Sequence, residues 1–153
     1  MEKIASFTVD HRYINEGIYI SRIDDDITTY DLRMRKPNTG DLMENGAIHS
    51  FEHMFATFVR NSEMKDDIIY AGPMGCQTGF YLLVRNAENK KVIDLVKNTL
   101  KGICDYQGEI FGKSEIECGN YRNLSLAEAK AEAKKYLEKI KDITEENLVY
   151  PKE

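Results

Sequence analysis

No run in this sequence approaches the ~20 consecutive apolar residues that a membrane-spanning helix needs, so no membrane span is expected. The start, Met1-Glu2-Lys3-Ile4-Ala5, lacks a basic segment followed by an apolar stretch, and is not expected to be a signal peptide. Cysteine is scarce and odd in number: Cys76, Cys104 and Cys118, with no pair at C-x-x-C spacing. A secreted disulfide framework uses an even set, so the expectation is a cytoplasmic protein with reduced thiols, free to act as ligand or catalyst. Positive charge is in deficit: 21 Lys and Arg against 26 Asp and Glu give a net charge of −5. Without a basic stripe, that sign disfavours binding to a phosphate backbone, and no nucleic-acid partner is expected. Repeats, low-complexity tracts and linkers are also missing. The 153 residues therefore read as a single domain, 1–153. A chain this long buries roughly 68–70% of its unfolded surface, enough for a real core without disulfides.

What is present alternates between strand and helix signals. Gly17 to Ile23 is rich in β-branched and aromatic residues, and Asp24-Asp25-Asp26 marks a turn. From Thr28 to Arg35, Tyr30, Leu32 and Met34 alternate with Asp31, Arg33 and Arg35, which predicts a half-buried strand. Pro37-Asn38-Thr39-Gly40 ends this hairpin. Ala47 to about Met64 has helical spacing, with Ile48, Phe51, Phe55 and Val59 as its apolar stripe. Ile68–Ala71 and Phe80–Arg85 are strand candidates around a turn at Gly72-Pro73-Met74-Gly75. A helix follows over Lys91–Tyr106, with Val92, Val96, Leu100 and Cys104 in line. Ser125 with Glu128 predicts a capping box for a third helix reaching about Lys141, with Ala129, Ala133, Leu137 and Ile140 on its apolar face. The fold class expected is α+β: a two-layer sandwich, a mostly antiparallel sheet packed against helices.

The most informative residues are His49-Ser50-Phe51-Glu52-His53. On a helix, positions i and i+4 share a face, so His49 and His53 can aim imidazole nitrogens at one ion. Glu52 sits beside that face, within reach of a proton near the metal. H-x-x-E-H inverts the zinc-protease motif H-E-x-x-H. Two histidines with a neighbouring carboxylate suit a divalent metal that keeps a position open for substrate. The chain has three histidines, and two of them stand here, in an otherwise apolar segment. Candidates for a third ligand are His11, Cys76, Cys104, Cys118 and scattered carboxylates. Cys104 continues an apolar stripe and reads as a small core residue. Cys118 lies in a polar stretch beside Gly119, and Cys76 lies in the Gly-rich turn Pro73 to Gly79. Spacing alone does not decide between them. The Gly-rich turn lacks the Gly-Lys-Ser/Thr ending of a P-loop.

These residues resemble one family, S-ribosylhomocysteine lyase (LuxS). The resemblance is carried by Ser6-Phe7-Thr8-Val9-Asp10-His11, Tyr30-Asp31-Leu32-Arg33 to Pro37-Asn38, the His49–His53 motif, Pro73-Met74-Gly75-Cys76-Gln77-Thr78-Gly79-Phe80, and more weakly Glu117-Cys118-Gly119. It implies a LuxS/metallopeptidase-like fold and a homodimer with active sites at the subunit interface. It implies His49, His53 and Cys118 as metal ligands, holding Fe2+, which Zn2+ or Co2+ can replace. Glu52 and Cys76 would be the acid/base pair, and Ser6, His11 and Arg33 would line the substrate site. Taken alone, Arg33 reads as a solvated strand charge, His11 as a surface histidine, and Ser6 says nothing. One departure is visible. The family often carries an acidic residue shortly before the Pro-Met-Gly-Cys turn, where this chain has Ile69-Tyr70-Ala71-Gly72. A carboxylate contact to the substrate's amino-acid end is then missing or supplied elsewhere.

The implied reaction cleaves the thioether of S-ribosylhomocysteine into homocysteine and 4,5-dihydroxy-2,3-pentanedione, the autoinducer-2 precursor, without water or oxidant. Sulfur on the fifth carbon is too far from the aldehyde to leave directly. The carbonyl must first migrate to the third carbon, each step removing a proton beside a carbonyl, before β-elimination expels the thiolate. A Lewis-acid metal and two acid/base groups suit such steps. The alternative is an HxxEH metallopeptidase, in which Glu52 would activate water. Those enzymes are much larger and use a distant carboxylate as third ligand. A non-enzymatic metal-binding domain would leave the Cys76 turn unexplained.

Overall fold

Ile18, Tyr30, Leu32, Phe80, Leu82 and Val84 alternate along neighbouring strands, and so turn one face of a sheet into a common core. The computed structural model describes residues 1–152. Its strands are β1 (Gly17–Asp24), β2 (Ile27–Arg33), β3 (Ile68–Pro73) and β4 (Gly79–Arg85), in the order β1-β2-β4-β3 with every pairing antiparallel. The helices are α1 (Asn45–Arg60), α2 (Asn89–Asp105) and α3 (Leu126–Ile140). Helix α1 packs on β3 and touches both other helices, which makes it the centre of the second layer. The α+β architecture expected from the sequence is the one observed.

The apolar stripes sit where the periodicity places them. Phe51, Phe55 and Val59 of α1 meet Val92, Val96 and Leu100 of α2 and Ala129, Ala133 and Ile140 of α3 in one buried cluster. Tyr136 joins them, donating its hydroxyl to the Gly17 carbonyl at 2.6 Å, while Leu137 is only partly buried. Cys104 packs at the margin of this core, as its place on the α2 stripe predicts.

Several boundaries differ from expectation for physical reasons. Helix α1 stops at Arg60 rather than Met64, because Asn61 caps it: its amide donates to Phe58 and Val59 carbonyls and its side chain to the Thr57 carbonyl. The turn expected at Gly72-Pro73-Met74-Gly75 lies later. Gly72 and Pro73 still pair with Tyr81 and Phe80 as part of β3, an edge strand where a proline is tolerated. The chain reverses at Gly75–Thr78, with Gln77 at φ 65°. The capping box of α3 is half formed. Ser125 Oγ accepts from the Glu128 amide at 3.3 Å, but the Ser125 amide donates to Ser50 Oγ of α1 at 2.8 Å instead of to Glu128. A capping interaction has become a tie between two helices.

The end of β2 corrects a further expectation. Asp31, Arg33 and Arg35 alternate with the apolar residues, yet all three are buried, so the strand is covered on both faces. Arg35 pairs with Glu132 of α3 at 2.7 Å. The outer face around Asp31 and Arg33 is closed by the segment after α3. Lys97 donates to the carbonyls of Lys141 and Ile143 at 3.1 and 2.8 Å, and the Ile20 amide donates to the Leu148 carbonyl at 2.8 Å. Tyr150 is thereby laid over Tyr19, ring centroids 4.8 Å apart.

Two stability measurements follow. Ser50→Ala leaves the Ser125 amide without its partner and is expected to cost about 1–3 kcal/mol, read as a lower urea midpoint with an unchanged m-value. Burial pushes the Tyr30 phenol up from 10.0 to about 12, so the folded state holds that proton when the unfolded chain has lost it. Its contribution is complete below about pH 10 and lost as pH rises through about 12. Urea midpoints should fall across that window, and by less in Tyr30→Phe.

Candidate metal centre

Helix α1 buries one face and leaves His49, Glu52 and His53 half-buried at its margin. One turn apart, the two imidazoles meet edge to face with centroids 4.5 Å apart. Each is held from behind. His49 Nδ1 lies 2.5 Å from Asn123 Oδ1, and His53 Nδ1 donates to the Phe111 carbonyl at 2.8 Å. Oxygen acceptors at Nδ1 fix the proton there and leave each Nε2 lone pair for a ligand. Asn123 is itself oriented by donating to Asn45 Oδ1 at 2.8 Å, from the first residue of α1.

The third member is Cys118. Its turn is closed by the Cys118 amide on the Ser114 carbonyl at 3.1 Å, and its Sγ lies 3.3 Å from His49 Nε2. The Asn120 amide donates to the same sulfur at 3.4 Å, which helps fix its position. Ligand atoms from His49, His53 and Cys118 all lie within 4.8 Å of one another. Two imidazole nitrogens and one thiolate form a set suited to a borderline divalent transition ion, and a three-residue set keeps a position open. Cys118, and not Cys76, is the cysteine whose sulfur lies beside the two histidines. Glu52 lies on the same helix, and no side chain among the described residues hydrogen-bonds its carboxylate.

Cys76 belongs to a second cluster, on the turn between β3 and β4. That turn is gripped from two sides. Met34 and Arg35 amides both donate to the Thr78 carbonyl at 2.9 Å, while Gln77 exchanges bonds with Met43 through the Met43 amide at 3.0 Å and its own Nε2 at 2.8 Å. Gly79 is required here, because a Cβ at that position would lie 2.6 Å from the Leu32 carbonyl oxygen of β2. Cys76 itself is exposed. Its Sγ lies 3.0 Å from Thr78 Oγ1 and 3.9 Å from Arg33 Nη1. Arg33 is buried, 3% exposed, against Asp31 at 1%. Burial works against its charge, but the Asp31 carboxylate, with Cys76 and Tyr150 nearby, more than offsets this and raises its pKa. The solvated strand charge that Arg33 suggests when taken alone is not what the fold makes of it.

Ser6 and His11 sit in short helical turns before β1, Ala5–Phe7 and His11–Tyr13. His11 Nδ1 donates to the Val9 carbonyl at 2.9 Å. Among the described residues no hydrogen bond links either side chain to the histidine pair or to the Cys76 turn. Tyr70 is half exposed on the edge strand and folds back over Gly72, where an added Cβ would collide with its hydroxyl. The sequence reading missed Asn123, the Phe111 carbonyl and Gly112. Gly112 takes φ +74°, and a Cβ there would lie 2.8 Å from His53 Nδ1. Its only trace in the sequence is a glycine in a loop.

A sequence model of the family described as S-ribosylhomocysteinase (LuxS) matches residues 4–147. Proteins named S-ribosylhomocysteine lyase are similar over almost the whole length. That of Borrelia garinii is 47% identical, with 99% of this chain and 100% of the relative covered. That of Finegoldia magna is 44% identical, with 99% of each chain covered. That of Clostridium beijerinckii is 43% identical over the same shares.

The close approach at Gly112 is testable. Gly112→Ala should displace His53 and weaken Co2+ or Zn2+ binding roughly 10–100-fold, the range expected when support behind a ligand is lost. Titration against a competing chelator measures it.

Proposed function

The chain belongs to the LuxS family of S-ribosylhomocysteinases, and on that premise we propose a metal-dependent carbon–sulfur lyase that cleaves S-ribosylhomocysteine to homocysteine and 4,5-dihydroxy-2,3-pentanedione. The observation that carries the proposal is the convergence of His49, His53 and Cys118 within 4.8 Å, beside a free carboxylate on the same helix. These three residues would hold the ion. When bound it supplies Lewis acidity, favouring negative charge on an adjacent carbonyl oxygen. Ferrous iron is the ion proposed, with zinc or cobalt able to replace it, since two nitrogens and a thiolate accept all three.

The chain's own residues do the proton work. Glu52, without a hydrogen-bonding side chain, is free to take a proton from a sugar carbon and return it to a neighbouring one. Cys76 Sγ serves the second face, with the Arg33 guanidinium Nη1 3.9 Å away. Cys76 is assigned to the earlier transfers and Glu52 to the later ones, including removal of the proton whose loss expels the thiolate. Ser6, His11 and Arg33 are assigned to substrate binding. The stretch Ile69-Tyr70-Ala71-Gly72 carries no acidic residue where one is common in the family, so a carboxylate contact to the substrate's amino-acid end is missing or supplied elsewhere.

A homodimer with sites at the interface is part of the proposal. Support comes from the lack of any hydrogen bond, among the described residues, between the histidine cluster and the Cys76 turn. The apolar Ile4 and Phe7 are exposed on either side of Ser6, which also suits a partner surface. Three free cysteines fit the cytoplasm, and none of the described helices is long and apolar enough to cross a membrane. The product would serve autoinducer-2 synthesis or only the recycling of homocysteine. The HxxEH peptidase reading is not favoured: family membership covers residues 4–147, and a thiolate ligand weakens an ion's pull on water.

Thiol release tests the proposal. Protein purified without oxygen and assayed for bound metal should release homocysteine from S-ribosylhomocysteine over many turnovers, and stop on chelation. Glu52→Gln and Cys76→Ala should each retain metal and lose activity by about 10²–10⁴-fold. Metal binding without thiol release would overturn the substrate, and activity surviving in Glu52→Gln would overturn that residue's role.

A further inference from the structure

Tyr150 lies after the last helix, outside every segment that carries the family resemblance, yet its hydroxyl ends in a buried ionic chain. The phenol donates to Asp31 Oδ2 at 2.6 Å. Asp31 in turn holds Arg33 with both oxygens, accepting from Nε at 3.1 Å and from Nη2 at 2.7 Å. That leaves Nη1, which donates to Thr78 Oγ1 at 2.8 Å and faces Cys76 Sγ at 3.9 Å. The five side chains span three separate parts of the chain: the strand β2, the β3–β4 turn and the segment after α3.

A buried carboxylate that binds a guanidinium on two edges cancels most of its charge, leaving little positive field for a thiolate on the third edge. A third donor on the same carboxylate shares its negative charge and loosens that cancellation. We infer that, where Cys76 moves protons in the proposed lyase, Tyr150 is a positioning residue: its hydrogen bond to Asp31 releases Arg33 charge towards Cys76, and its ring shields the pair from water.

The construction around Tyr150 suits this role. Its ring stacks on Tyr19 at an interplanar angle of 19°, and Tyr19 is itself anchored by donating to the Asn15 carbonyl at 2.9 Å. The segment that delivers it is fastened through Leu148, which is buried and bonded to Ile20 where β1 changes register between Ile20 and Arg22. Burial, with the Asp31 charge beside it, pushes the Tyr150 phenol well above its ordinary range, so it remains a donor at any working pH. The titratable groups that face the Cys76 thiol are Arg33 on β2, with Asp31 behind it, and Tyr81 on β4, which stays a neutral phenol because burial and the Asp31 charge raise it. No carboxylate among them is left without Arg33 to balance it.

The test uses the full-length metal-loaded protein and reads Cys76 directly. Alkylation by iodoacetamide is followed by mass spectrometry of the Cys76 peptide from pH 5 to pH 9, with the Cys104 peptide as internal control. Tyr150→Phe keeps the stack and removes only the hydroxyl. It should slow Cys76 alkylation at neutral pH by roughly three- to tenfold, shift the profile towards higher pH and leave Cys104 unchanged. Lyase kcat should fall in parallel with KM little changed. Tyr150→Ala, which also admits water, should move the profile further, and circular dichroism confirms that each variant is folded. An alkylation profile in Tyr150→Phe that overlays the parent's overturns the inference, whatever the lyase assay returns. If the parent releases no thiol, the lyase proposal fails, while the alkylation arm still reports on the network.

Discussion

Helix α1 must satisfy the core and the site with the same few turns. Its 3.6-residue period sends Ile48, Phe51, Phe55 and Val59 inward and leaves His49, Glu52 and His53 at the margin of the buried face. Burying the apolar stripe against α2, α3 and β3 therefore fixes where the imidazoles point, before any metal is considered. The histidines gain rigidity from a packed helix, at no separate cost in loop ordering. What remains is supplied by the long stretch between α2 and α3. It brings the Phe111 carbonyl and Asn123 to the Nδ1 atoms and Cys118 to His49 Nε2.

The other half of the chemistry depends on a buried charge pair. Arg33 and Asp31 occupy the sheet face opposite the core, a face normally left to water. Taking both charges out of solvent is expensive unless every donor is used, and here almost every one is. Asp31 takes two guanidinium edges, Tyr150 takes the remaining carboxylate position, and Thr78 takes Nη1. The cover is the segment after α3, fastened to β1 by Leu148. A tail that reads as unremarkable in the sequence thus seals the charges beside an exposed cysteine.

Local order carried much of the architecture into the sequence. Alternation marked β2, a short apolar run marked β4, and three- and four-residue steps marked all three helices, because periodicity is set by backbone geometry alone. The misplaced details share a cause. The α3 cap uses Ser50, 75 residues away, in place of Glu128. The turn before Cys76 shifts because pairing with β4 outlasts the Gly-Pro signal. Asp31, Arg33 and Arg35 look solvent-facing until distant segments cover them. Gly112 shows its importance only when His53 stands behind it.

The sequence by itself determined the His49-x-x-Glu52-His53 face, the α+β class and the family, because these follow from residue spacing within one element or from motifs kept in order along the chain. Tertiary structure decided which cysteine joins the histidines, which oxygens hold their Nδ1 atoms, and that Arg33 is a buried partner of Asp31. Asp31 and Arg33 are near neighbours on β2, but their burial, like the contacts behind and beside the histidines, depends on residues far apart in the chain meeting: Cys118 reaches His49 across 69 residues and Tyr150 reaches Asp31 across 119. Such meetings are set by how helices and sheet close on one core, and no local pattern encodes them.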